Sequence, residues 1–80
     1  MKQMHLKIYG QVQGVGFRTF VRKHAEQLQL DGWAKNLPDG TIEVVARGTE
    51  ERLLALKQLC EEGPQFAQVE KVKEKWSDVE

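Results

Sequence analysis

From Met4 to Tyr9 apolar and polar residues alternate, with Met4, Leu6 and Ile8 on one phase and His5, Lys7 and Tyr9 on the other. A period of two predicts a half-buried strand. Three glycines between Gly10 and Gly16 then break the pattern and predict a loop. Phe17, Phe20, Val21, Ala25 and Leu28 recur at steps of three and four, the stripe of an amphipathic helix that stops before Asp31-Gly32. Trp33 to Leu37 reads as a short strand and Pro38-Asp39-Gly40 as a turn. Thr41 to Arg47 alternates again, with Ile42, Val44 and Ala46 on one phase, so these two strands form a hairpin.

Thr49 has the chemistry of a helix N-cap, and Glu50 and Glu51 follow where the helix dipole favours acids. Leu53, Leu56, Leu59 and Cys60 form the expected buried stripe, and Gly63-Pro64 ends the helix. Ala67 to Trp76 fits two periods. Ala67 and Val69 alternate, and Val72, Glu74 and Trp76 alternate on the opposite phase, as in a strand with a bulge; Val69, Val72 and Trp76 also share a helical face. The β-branched residues, together with a hairpin edge that lacks a partner, favour a strand. The predicted order is strand–helix–strand–strand–helix–strand. That is the α+β ferredoxin-like split βαβ arrangement, a four-stranded antiparallel sheet with both helices on one face.

The 80 residues suit one domain, residues 1–80, too small for a large enclosed substrate cavity. Chemistry is therefore expected at the surface. Twelve Lys and Arg balance twelve Asp and Glu, which argues against a nucleic-acid or membrane-surface partner. The balance is uneven along the chain: residues 1–40 carry six basic and three acidic groups, residues 41–80 six and nine. An anionic ligand is expected on the amino-terminal half. Cys60 is the only cysteine, so an internal disulfide or cysteine-rich zinc site is excluded, and its apolar spacing predicts a core position. The chain opens without an apolar leader and has no run long enough to span a membrane, so a reducing cytoplasm is the expected location. No third ligand is spaced to join His5 or His24, so no metal site and no cofactor are expected. Trp33 and Trp76 are expected in the core or on a sheet face.

The chemically informative stretch is Gly10-Gln-Val-Gln-Gly-Val-Gly-Phe-Arg18, between the first strand and the first helix. A glycine-rich turn opening a helix collects backbone N–H groups on one side, where the helix dipole adds partial positive charge. A phosphate fits such a place, and Arg18 in the first turn offers a planar two-pronged donor. Glycine spacing alone also suits a plain connection. No lysine follows Gly14 or Gly16 as in a nucleotide-triphosphate loop, the glycines do not follow the dinucleotide pattern, and Cys60 lies far from the loop.

This stretch resembles the signature phosphate loop of the acylphosphatases. Gly32-Trp-Ala-Lys-Asn36 with Pro38-Asp39-Gly40 is similar to that family's second block, and Gly48 and Gly63-Pro64 keep its spacing. The resemblance spans essentially the whole chain. It implies metal-independent hydrolysis of acyl phosphates to carboxylate and inorganic phosphate, without a covalent enzyme intermediate. It also implies that Arg18 binds the phosphate, that Asn36 orients the attacking water, and that the backbone amides of Gln13, Gly14, Val15, Gly16, Phe17 and Arg18 form the cradle. The expected partners are a small acyl phosphate and phosphate itself, not nucleic acid or membrane, and the expected state is a monomer. Two departures stand out: Leu37 follows Asn36 where some members carry a hydroxyl, and the chain stops at Ser77-Asp78-Val79-Glu80 without the family's short closing strand.

Two other readings share the element order. RNA-recognition modules do, but they stack bases on aromatics of the central strands, and Thr41–Arg47 has none. The amino-terminal domain of hydrogenase-maturation carbamoyltransferases carries a similar loop for carbamoyl phosphate within a much longer chain. A chain running from Met1 to Glu80 is expected to be the free-standing enzyme.

Overall fold

Where the sequence alternates the chain is extended, and where it steps by three and four the chain is helical. The computed structural model describes residues 1–79. Its elements are β1 (Lys2–Gln11), α1 (Phe17–Gln27), β2 (Asp31–Asn36), β3 (Ile42–Gly48), α2 (Glu50–Glu62) and β4 (Gln68–Asp78). The strands form one antiparallel sheet in the order β2-β3-β1-β4. Met4, Leu6 and Ile8 of β1 and Ile42, Val44 and Ala46 of β3 turn one face of the sheet inward. Against that face lie Phe17, Val21 and Ala25 of α1 and Leu53, Leu56 and Cys60 of α2, in a single apolar cluster. Both helices therefore cover the same side of the sheet, the expected α+β ferredoxin-like architecture.

The last segment is a strand, and its bulge lies where the apolar phase changes. Gly10 pairs with Val69 and Tyr9 with Lys71, which leaves Glu70 as the extra residue of β4. Its partner differs from the expected one. β4 does not cover the open hairpin edge; it pairs along β1, while β2 remains the outer strand. β1 is inward-facing and fully apolar on that phase, so it takes a neighbour on each side and becomes central. A second difference concerns Leu59, which is only half-buried, whereas Leu53, Leu56 and Cys60 are fully enclosed. At 100° per residue Leu59 falls at the rim of the arc defined by the other three.

The core also fixes the glycine loop. Val12 just before it is 1% exposed and Phe17 just after it 2% exposed. Both ends of the segment Gln13–Gly16 are thus anchored in the apolar interior. Truncating a buried aromatic such as Phe17 to alanine costs about 3–5 kcal/mol, so these anchors are firm. Burial raises the Cys60 thiol to about 12, aided by the neighbouring Glu61 charge, which leaves it a core side chain rather than a nucleophile.

Candidate active site

Gly16 is the N-cap of α1 and adopts the left-handed conformation (φ 80°), as does Gly14 (φ 75°). These angles turn the chain sharply into the helix, and a side chain at either position would be strained. Gly16 has no side chain to cap the helix, and no acid stands in its first turn. The first α-helical hydrogen bond is Phe20 N–H to the Gly16 carbonyl at 3.0 Å. Among the described residues, no backbone amide from Gln13 to Thr19 donates to an acceptor within the chain. A row of free N–H groups at a helix N-terminus is an anion site by its electrostatics.

A cavity of about 100 Å³ lies at this helix end, lined by Val12, Gly14, Gly16, Phe17, Arg18, Thr19 and Asn36. One water needs about 10–15 Å³ of such space, so the recess has room for a phosphoryl group. Arg18 is exposed and takes part in none of the ion pairs among the described residues, so its charge is uncommitted. Asn36 comes from the last position of β2, far from Arg18 in sequence, yet it lines the same cavity. The fold thus brings together the two side chains that the sequence singled out, along with loop glycines 14 and 16.

Two further residues belong to this geometry. Thr19 lines the cavity from the third position of α1; its place one residue after Arg18 was the only signal for it. Gln13, expected only as a backbone donor, uses its side chain. Its Nε2 donates to the Leu37 carbonyl at 2.8 Å and to the Thr41 carbonyl at 3.0 Å. Those carbonyls flank the mouth of the β2–β3 turn, one residue beyond Asn36. Nothing in the sequence pattern announces this tie between the loop and the hairpin.

The hairpin is itself braced. Leu37 N–H donates to the Thr41 carbonyl at 2.9 Å and Gly40 N–H to the Leu37 carbonyl at 3.1 Å. The Asp39 carboxylate accepts from the Thr41 hydroxyl at 2.5 Å and the Thr41 amide at 3.0 Å, with Lys7 Nζ at 3.0 Å. The Thr41 hydroxyl, then Lys7 and the Thr41 amide, lower Asp39 from its ordinary 3.8 to about 2.

The histidines lie elsewhere. His24 stacks edge-on against Phe20 in the apolar arc of α1, with ring centres 4.5 Å apart. His5 Nε2 lies 2.6 Å from Glu43 on the outer sheet face. Among the described residues no group of three or more His, Cys, Asp or Glu side chains could hold a metal ion. No helix among them is long and apolar enough to cross a membrane.

Comparison with known proteins bears on the chain and its fold as a whole. The family model Acylphosphatase matches residues 4–80. An acylphosphatase of Thermococcus kodakarensis is 49% identical over 76 residues, covering 95% of this chain and 84% of that protein. The crystal structure of acylphosphatase from Bacillus subtilis superposes with a TM-score of 0.96 at 37% identity, over 99% of this chain and 88% of that one. Full-length HypF, solved in a phosphate- and nucleotide-bound form, matches with a TM-score of 0.83 at 30% identity, over 99% of this chain but only 11% of HypF.

Proposed function

The chain belongs to the acylphosphatase family and is an acylphosphatase hydrolase, and from that premise we propose how its own residues carry the reaction. The phosphate of a small acyl phosphate sits on the backbone amides of Gln13 to Arg18, with the Arg18 guanidinium across its oxygens. The Asn36 side-chain amide holds a water in line with the bond to the acyl oxygen. The water oxygen forms the new bond to phosphorus as the phosphorus–acyl oxygen bond breaks, and the electron pair leaves with the carboxylate. The water's proton passes to a phosphate oxygen.

The chemistry asks little more. A carboxylate leaving group with a conjugate acid pKa of about 4 departs without a strong general acid. The remaining task is to neutralise phosphoryl charge and to position the nucleophile. An amide such as Asn36 both accepts from and donates to a water. The single observation that supports this reading most is the shared cavity: Arg18 on α1 and Asn36 on β2 line one space with Gly14 and Gly16.

On this reading no metal is needed, because Arg18 and the amides supply the positive charge. Benzoyl phosphate hydrolysis with EDTA present tests it: full activity is expected, and activity lost to chelator and restored by Mg²⁺ contradicts it. Inorganic phosphate is expected to raise the apparent KM and leave kcat unchanged.

We read residues 1–80 as a single acylphosphatase-like domain, monomeric and cytoplasmic. The match covers most of the Thermococcus and Bacillus proteins, against a small fraction of HypF. Sedimentation of the purified chain at assay concentrations tests the monomer, and a dimer contradicts it.

A further inference from the structure

The outer face of the sheet, away from both helices, has a chemistry the reaction does not use. Strand register sets Tyr9, Lys7 and His5 of β1 opposite Lys71, Lys73 and Lys75 of β4. Across the sheet this face adds Arg47 of β3 and Lys35 of β2, giving six Lys and Arg with Asp31 and Glu43 as its acids. The formal net charge of the chain is zero, so positive charge is sorted onto one face. Segregation of this kind is invisible to a whole-chain balance, and it cuts across the division between the two halves of the sequence.

Of the nearby acids, all but Asp31 at the far end of β2 are already engaged. Glu43 lies 2.6 Å from His5 and 3.5 Å from Lys35, Asp39 lies 3.0 Å from Lys7, and Glu74 at the sheet edge lies 2.5 Å from Lys57 of α2. Lys71, Lys73 and Lys75 take part in none of the ion pairs among the described residues. Lys71, Lys7 and Lys73 gather around the Tyr9 ring at 4.7, 5.5 and 5.6 Å from its centre. Like charges crowded around one ring repel each other and gain from an anion. An open recess of about 490 Å³ lies here, lined by His5, Lys7, Tyr9, Lys73, Glu74 and Lys75. Trp33, 47% exposed on β2, is a second aromatic on the same face.

We propose that this face binds extended single-stranded nucleic acid, with a base on Tyr9 and the phosphates along Lys71, Lys73 and Lys75. Alternate residues of a strand stand about 6.4–6.8 Å apart, a step close to that between phosphates of an extended strand. An aromatic ring set among cations is the combination that single-strand binders use, because a base stacks on the ring while its backbone tracks the charges. An acidic polypeptide would use the lysines and have no call on the ring, so ring and lysines together favour nucleic acid.

The test is fluorescence anisotropy of a short labelled oligouridylate titrated with the full chain across a salt series, beside benzoyl phosphate assays on each variant. Binding is expected to weaken with salt at a slope of about −0.7 per phosphate neutralised, so about −2 for three lysines. The double variant Lys73→Gln/Lys75→Gln is expected to remove about 1.4 from that slope. Tyr9→Leu is expected to weaken binding about 5- to 150-fold at an unchanged slope. Both variants should keep hydrolase activity, since none of these residues lines the Arg18–Asn36 cavity. Any of four results overturns the proposal: no salt-sensitive binding, wild-type binding by the double variant, displacement by inorganic phosphate, or equal competition by polyglutamate. Displacement by phosphate would put the oligonucleotide in the glycine loop, and polyglutamate competition would mean that the lysines read charge alone.

Discussion

The two helices begin in opposite ways. At α2 the Thr49 side chain accepts from the Arg52 amide at 3.4 Å, and Glu50 and Glu51 stand in the first turn. At α1 the cap is a left-handed glycine, no acid follows, and Arg18 adds positive charge to an end already positive. One terminus has a side-chain cap from within the chain; the other leaves its donors free and faces a cavity. By the rules of helix stability α1 is the poorer start. That local deficit is the physical form of an anion site: the protein leaves undone at α1 what it does at α2, and the substrate completes it.

The contrast breaks most visibly at the two side chains that work with the open end. Arg18→Ala and Asn36→Ala are each expected to lower kcat by about 10² to 10³, the usual effect of losing one preorganised polar contact, as steady-state hydrolysis of benzoyl phosphate would register. Arg18→Lys should recover only part of the loss, because an ammonium lacks the two-pronged geometry. A near-wild-type rate for Arg18→Ala would mean that the amides alone carry the charge.

Making α1 start like α2 is the next largest change. Thr19→Glu places an acid in the first turn beside the cavity, where it stabilises the helix and repels phosphate. A charge repulsion of about 1 kcal/mol weakens phosphate inhibition roughly fivefold, while thermal stability holds or rises. A melting curve and an inhibition series on one sample check both signs.

The converse change falls at α2. Thr49→Ala should cost about 1 kcal/mol of stability and leave kcat/KM unaltered. For a domain of this size that lowers Tm by about 4–8 °C. An activity loss beyond the unfolded fraction would mean that the two helix ends are coupled.

The smallest effect concerns the hairpin that presents Asn36. Asp39 is held near 2 against an ordinary 3.8, so its bonds to Thr41 and Lys7 stabilise the fold above about pH 4. That contribution fades as pH falls toward 2, when the carboxyl takes up its proton. Asp39→Asn should flatten this part of the acid-unfolding profile, because the variant lacks the ionised contribution at every pH and is slightly less stable than wild type at neutral pH. An unchanged slope between pH 4 and 2 would place the acid sensitivity elsewhere.

Periodicity made most of the fold legible. Alternation located β1 and β3, steps of three and four located both helices, and the phase change between Val69 and Val72 marked the bulge at Glu70. Alternation says which face a residue takes, however, and not which strand lies beside it. For that reason the pairing of β4 with β1 rather than with the hairpin edge became visible only in three dimensions. The same limit hid the basic outer face, which depends on register between strands distant in sequence. At the candidate site, Arg18 and the glycines announced themselves by local chemistry. Asn36 was legible only through the family resemblance, since an asparagine before a turn has a bland local explanation. The Gln13 side chain, reaching across to Leu37 and Thr41, had no signal at all.

The most direct test of the open helix end as a phosphate cradle is calorimetric titration of inorganic phosphate into wild type, Arg18→Ala and Asn36→Ala, each confirmed folded. The account predicts that Arg18→Ala loses most of its phosphate affinity and that Asn36→Ala keeps it while hydrolysing slowly. If Asn36→Ala loses phosphate binding and keeps kcat, Asn36 belongs to the cradle and the division between phosphate holder and water holder is wrong.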